Sequence, residues 1–210
     1  MRRCAKAIVI LTAMLATACA GPAALSPYAR PVAAAAPGEQ LREMLALYDR
    51  LCLRAFPDDR AVAGLMGADR AVPLTAEQVR IYLHDDPGRG WTWQGRTGLF
   101  RVTLERPPFH SCGVRTMTRA GLGDLAPYRT LVGRFEAEHG RFVPVAPFDG
   151  EVDGVHTTGG GESATGSDGT QDTLLLFVGT PSGRRARDGG ETAIEVRMVR
   201  QIVAPRTEQL

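Results

Sequence analysis

The chain has 210 residues, 25 of them Lys or Arg and 23 Asp or Glu, with four histidines and a formal net charge of +2. That length allows one domain of moderate size with a core of its own, and so even a balance excludes the basic footprint that nucleic-acid binding requires. The positive excess sits at the very start: beyond residues 1–18, which hold Arg2, Arg3 and Lys6, 22 basic residues face 23 acidic ones, a net charge of −1.

Residues 1–18 have the three-part form of a secretory signal. Arg2, Arg3 and Lys6 precede the apolar run Ala7–Leu15, and small residues lead up to Cys19. The apolar run is too short to cross a bilayer, which takes about 20 residues of helix. Leu15-Ala16-Thr17-Ala18-Cys19 resembles the lipobox of bacterial lipoproteins. The resemblance implies that Cys19 is acylated and becomes the first residue of the mature chain. Ala16-Thr17-Ala18 also reads as the cleavage site of an ordinary secreted protein, and both readings stand at this point. Ala20 rather than Asp follows the cysteine, which by resemblance to enterobacterial sorting implies the outer membrane rather than the inner. The expected address is therefore the periplasm, with the membrane held through lipid on Cys19. Residues 19–38 are Ala- and Pro-rich, with Pro22, Pro27, Pro31 and Pro37, a composition suited to a tether. Residues 39–210 form the expected single domain.

Within the domain, Leu41, Met44, Leu45, Tyr48, Cys52 and Ala55 recur at helical spacing and predict an amphipathic helix over Glu39–Phe56, ended by Pro57. Asp58 or Asp59 can cap a short helix to about Met66. Thr75-Ala76-Glu77-Gln78 has the spacing of a capping box and predicts a helix over Ala76–Leu83. Trp91-Thr92-Trp93 and Gly98–Leu104 are rich in β-formers, with Gln94–Thr97 as their turn. A third strand is expected over Cys112–Thr118, after Pro107-Pro108. Asp124 can cap a longer helix with Leu125, Tyr128, Leu131, Val132 and Phe135 on one face and Gly140 as its exit. From 149 to 172 the composition collapses to Gly, Ser, Thr and Asp and predicts a flexible loop. Two closing strands are expected over Thr173–Gly179 and Thr192–Ala204, with a turn containing Pro181-Ser182-Gly183 and Gly189-Gly190. This order predicts an α+β fold: a mainly antiparallel sheet of about five strands against an N-terminal helix and a longer central helix, with short helices between.

The runs Cys52–Asp59, Tyr82–Trp91 and Pro107–Arg115 resemble a family of uncharacterised proteobacterial exported proteins and lipoproteins. The resemblance spans roughly Glu39 to Val199-Arg200-Gln201 and implies location and domain extent, with no activity to carry over.

Candidate chemistry is sparse. Cys52 and Cys112 are an even pair, and in an oxidising compartment such a pair forms a disulfide. His110-Ser111-Cys112 would place a histidine and a thiol on one strand face, but a nucleophilic cysteine must be free. Ser111, His110 and Asp85 could be assembled into a triad, without the Gly-x-Ser-x-Gly elbow. Asp149-Gly150-Glu151-Val152-Asp153-Gly154 resembles the first half of a calcium loop, but Gly160 stands where the bidentate Glu belongs. His84-Asp85-Asp86 offers metal-ligand types without a second histidine at ligand spacing. Gly159-Gly160-Gly161 lacks the Lys-Ser/Thr of a phosphate loop. Trp91, Trp93, Phe100 and Phe109 could line a ligand groove, though core packing is their commoner use. No metal or cofactor motif is present. The expectation is a membrane-anchored envelope lipoprotein with a non-catalytic binding or structural domain and an envelope protein as partner. The alternative is a lipid-anchored hydrolase using His84, Asp85 and His110.

Overall fold

A computed structural model describes residues 37–119, 121, 123–152, 154–182 and 193–205. The signal region 1–18, Cys19, the tether to residue 36, Asp153 and the turn at 183–192 lie outside the described residues. The fold is α+β, as composition and element order predict. Among the described residues four α-helices accompany one nine-stranded sheet, antiparallel throughout.

The first helix, α1 (Pro37–Tyr48), runs directly into a π-helical segment, Asp49–Ala55, and together they cover the predicted Glu39–Phe56 except Phe56, whose backbone is already extended. The apolar periodicity carries through, so Leu41, Met44, Tyr48, Leu51 and Cys52 are all buried. Helix α2 (Asp59–Ala68) starts where Asp58 accepts hydrogen bonds from the Arg60 and Ala61 amides. Helix α3 (Ala76–Leu83) begins with the predicted capping box: Thr75 accepts from the Gln78 amide, and the Gln78 side chain accepts from the Thr75 amide. Helix α4 (Ala126–His139) buries Tyr128, Leu131, Val132 and Phe135, with the Asp124 carboxylate on the Ala126 amide.

The strands are β1 (Val72–Pro73), β2 (Gly88–Gln94), β3 (Leu99–Glu105), β4 (Phe109–Thr118), β5 (Val143–Pro144), β6 (Phe148–Val152), β7 (Val155–Thr165), β8 (Gln171–Pro181) and β9 (Ile194–Val203). Their order in the sheet is β1-β2-β3-β4-β9-β8-β7-β5, with β6 also paired to β7. The sheet thus consists of two meanders joined at β4–β9. Residues facing each other across the ladder share a face. One face carries Val102, Val114 and Met198 in a row, and these pack with α1, the π segment and α4 into the main core. The opposite face takes α3: a Cβ on Gly88 would lie 2.2 Å from the Leu83 side chain, so only glycine lets α3 and its approach sit this close.

The segment predicted as a flexible loop, 149–172, is instead most of a hairpin array. Val152 pairs with Val155, which makes β6 and β7 a tight hairpin, and Gly154 between them has φ 72°. All of β7 pairs residue for residue with β8, from Val155–Pro181 to Thr165–Gln171. Backbone pairing, not side-chain burial, holds this strand, and its glycines are what allow the close approach. A Cβ on Gly161 would lie 1.9 Å from the Leu174 carbonyl oxygen, a distance no side-chain-bearing residue tolerates. The sheet therefore has nine strands where about five were expected.

Two cross-layer ties close the domain. Cys52 of the π segment is bonded to Cys112 of β4, across a separation of 60 residues. Next to Cys112 in the ladder stands Arg200, 6 % exposed. Its Nη2 lies 2.7 Å from Asp172 Oδ2, and its Nη1 donates to the carbonyls of Cys52, Leu53 and Phe56 at 3.4, 3.1 and 3.1 Å. Those carbonyls end a helix and have no next turn to serve.

Candidate functional site

The residues singled out by sequence do not come together. His110 lies on the face of β4 that packs against α1 and the π segment, where its Nε2 is 2.9 Å from Asp59 Oδ1 and its ring packs edge-on to Phe56. His84 and Asp85 are exposed at the exit of α3, on the opposite face. Ser111 points away from His110, as alternation requires, and donates to Glu105 Oε2 at 2.9 Å. Cys112 is spent in the disulfide. The half calcium loop is the β6–β7 hairpin, with Asp149 Oδ1 3.6 Å from His156 Nε2 across it, and Asp153 lies outside the described residues. Trp91 and Phe100 are core residues, while Phe109 is 47 % exposed. Among the described residues no group of three His, Cys, Asp or Glu is placed to hold a metal ion, and no helix is long and apolar enough to cross a membrane.

A concave site lies elsewhere, between α4 and the inner face of β7–β8. It encloses about 510 Å³, within the range of small-molecule sites. Its apolar walls are Leu125 at the entry to α4, Val132 of α4, and Leu174, Leu176 and Val178 of β8. Gly160 forms its floor, and a Cβ there would meet nothing within 4 Å. The space exists because β7 presents glycine where an inward-facing strand usually carries a large side chain.

Five polar residues line this cleft, Tyr128, Arg129, Glu136, Thr158 and Glu162, and three of them are coupled electrostatically: Tyr128, Glu136 and Glu162. Tyr128 is 9 % exposed, and burial, with the nearby Glu162 and Glu136 carboxylates, pushes its phenol well above the usual tyrosine range. Burial also raises the Glu136 carboxyl to about 7, helped by the hydrogen bond to Glu162 and by that carboxylate's charge. One proton held between two carboxyl groups near neutrality can serve acid–base chemistry or accept a hydrogen-bonding or cationic end of a ligand.

Sequence reasoning missed this pair. Glu136 follows Val132 by four residues on the buried side of α4, and Glu162 sits at an inward position of β7. The first was legible as a carboxylate on an apolar helix face. The second was hidden by reading its strand as a loop.

The pair has a measurable consequence for stability. In the unfolded chain Glu136 releases its proton near 4.5, and in the folded protein near 7. Between those values the unfolded state binds fewer protons, so raising the pH through this window favours unfolding. The melting temperature of the wild type is expected to fall across it. Glu136→Gln should flatten the fall and leave the variant the more stable protein at pH 8. Parallel curves for the two proteins would show that the carboxyl titrates normally.

No family model matches the chain, and neither the curated proteins nor the solved structures with which it was compared include a match.

Proposed function

We propose that this chain is a bacterial envelope lipoprotein, anchored through acyl chains on Cys19 at the periplasmic face of the outer membrane, whose domain is a non-catalytic binding module. The observation that carries the binding reading is the cleft between α4 and β7–β8: a preformed apolar space with a few convergent polar groups has the make-up of a ligand site. The ligand this composition suits is a small molecule with an apolar body against Leu174, Leu176 and Val178. Its polar end would donate hydrogen bonds to Glu136 and Glu162. The anchor rests on the signal-like residues 1–18 and the lipobox resemblance ending at Cys19. The exported-protein resemblance supports the same address.

Gly160→Phe fills the cleft at a position where the backbone is open. Protein extracted from its own membranes in mild detergent is analysed by native mass spectrometry. The wild type should carry a bound small molecule that Gly160→Phe lacks, with similar melting temperatures for the two unloaded proteins. A wild type that arrives empty, and stays empty after incubation with membrane extract, overturns the binding reading. Feeding cells an alkyne fatty acid should label the wild type and spare Cys19→Ser. Equal labelling of both, or of neither, removes the anchor.

A further inference from the structure

On the sheet face opposite α1 and α4, Arg101, Arg115 and Arg197 stand in register on the adjacent strands β3, β4 and β9. Like charges side by side across a ladder repel one another, and this row is largely withdrawn from water. Arg101 is 7 % exposed and Arg115 8 %. Burial lowers the pKa of Arg115 to about 10 and lowers that of Arg197 as well, each arginine's neighbours adding to or offsetting that effect. Removing guanidinium groups from water is costly unless anions meet them.

Among the described residues few are at hand. Glu195 Oε1 lies 3.3 Å from Arg115 Nη1, and Glu105 is a second carboxylate within electrostatic reach of Arg197. Among the described residues the buried Nε of Arg115 has no hydrogen-bond partner. Among the described residues Arg101 forms no hydrogen bond or ion pair; its guanidinium lies 5.6 Å from the Tyr82 ring centre, on which Arg115 also stacks at 4.6 Å. Between α3 and the row is a pocket of about 60 Å³, lined by Ile81, Tyr82, Arg101, Arg115, Met117 and Glu195 among others. A water's share of liquid volume is about 30 Å³, so the pocket has room for one small oxyanion and little more.

We propose that this pocket binds a phosphate-sized oxyanion, which accepts hydrogen bonds from Arg101 and Arg115 and neutralises the arginine row. The site is separate from the α4 cleft, on the other side of the sheet. Guanidinium forks pair with phosphate oxygens through charge-assisted hydrogen bonds, and Glu195 competes with the anion for Arg115. The charge balance explains why an arginine with no carboxylate of its own is buried at position 101.

The test uses the folded wild type, Arg101→Gln and Glu195→Gln, with inorganic phosphate as probe and ionic strength held constant with sodium chloride. In the wild type, phosphate above its Kd should raise the melting temperature by about 3–6 °C for each tenfold rise in concentration, and calorimetry should show one site. Arg101→Gln should bind phosphate at least about tenfold more weakly, while its phosphate-free melting temperature stays level or rises as a like charge is removed. Glu195→Gln should bind more tightly. A glycerol phosphate arm distinguishes sources: equal binding means that the anion can arrive on a larger molecule, and no binding means that it arrives free. No phosphate response in the wild type overturns the proposal. So does an Arg101→Gln variant that loses stability without phosphate and keeps the full response, because Arg101 then only supports Tyr82. Should Arg101→Gln fail to fold, the wild-type titration and the sign of the Glu195→Gln change decide the matter.

Discussion

Arg200→Ala is expected to destabilise the domain by about 3–5 kcal/mol, read from urea unfolding. The guanidinium lies between the rings of Phe56 and Phe135, with its carbon 5.6 and 4.7 Å from their centres. It spans both layers: Asp172 belongs to β8, and the accepting carbonyls of Cys52, Leu53 and Phe56 belong to the end of the first helix. Alanine would leave Asp172 unpaired and those carbonyls without donors, and the helix end could not satisfy them itself. Removing one partner of such a set costs more than the set contributes as a whole. Hence the double variant Arg200→Ala with Asp172→Ala should lose less than the sum of the two single changes. A loss below about 1 kcal/mol for Arg200→Ala would mean that water replaces the guanidinium freely, and the cross-layer tie would not hold.

Loss of the Cys52–Cys112 bond is the second large effect. It closes a loop spanning 60 residues, and the chain-entropy account gives about 4 kcal/mol for a loop of that size. For a domain of this length that corresponds to about 8–16 °C of melting temperature. The Cys52→Ala/Cys112→Ala protein should show the full drop. Both sulfur-bearing residues are fully buried, so reductant should act on the folded wild type far more slowly than on the unfolded chain. Alkylation of unfolded, unreduced protein should leave both positions unmodified. Free thiols at both would remove the bond and restore Cys112 as a nucleophile candidate beside His110. The two ties are not independent, since Arg200 is the ladder neighbour of Cys112 and draws on the carbonyl of Cys52. Their losses should therefore fail to add.

The helices were readable because their signals are local. Thr75 and Gln78 complete a capping box within four residues, and Asp58 caps α2 through amides two and three residues ahead. The hairpin β2–β3 was readable for a similar reason, with β-formers on either side of a short turn. Strand β7 was not. Its stability comes from a partner strand, and its glycines record how closely Leu174 and Phe177 approach it, which composition alone presents as an absence of structure. Strands β1 and β5, two residues each, carry no periodicity to detect. The sites followed the same division. Cys52 and Cys112 could be paired by counting, whereas Glu136 with Glu162 and the Arg101–Arg115–Arg197 row exist only through strand register and helix docking.

The joint between the two meanders sets how this protein must reach its fold. Registers in β4–β9 run from Thr118 with Ile194, 76 residues apart, to Phe109 with Val203, 94 apart. Closing loops of that size must be achieved before any contact across the joint rewards it, which slows folding toward the millisecond-to-second range typical of non-local sheets. Until then β4 and β9, ten residues each, present open ladder edges. In the finished sheet those edges are buried at the centre, and of the outer strands β1, β5 and β6 the first two end in Pro73 and Pro144, which cannot donate to an added strand. The folding chain, far more than the folded protein, is therefore the species that can join its neighbours edge to edge.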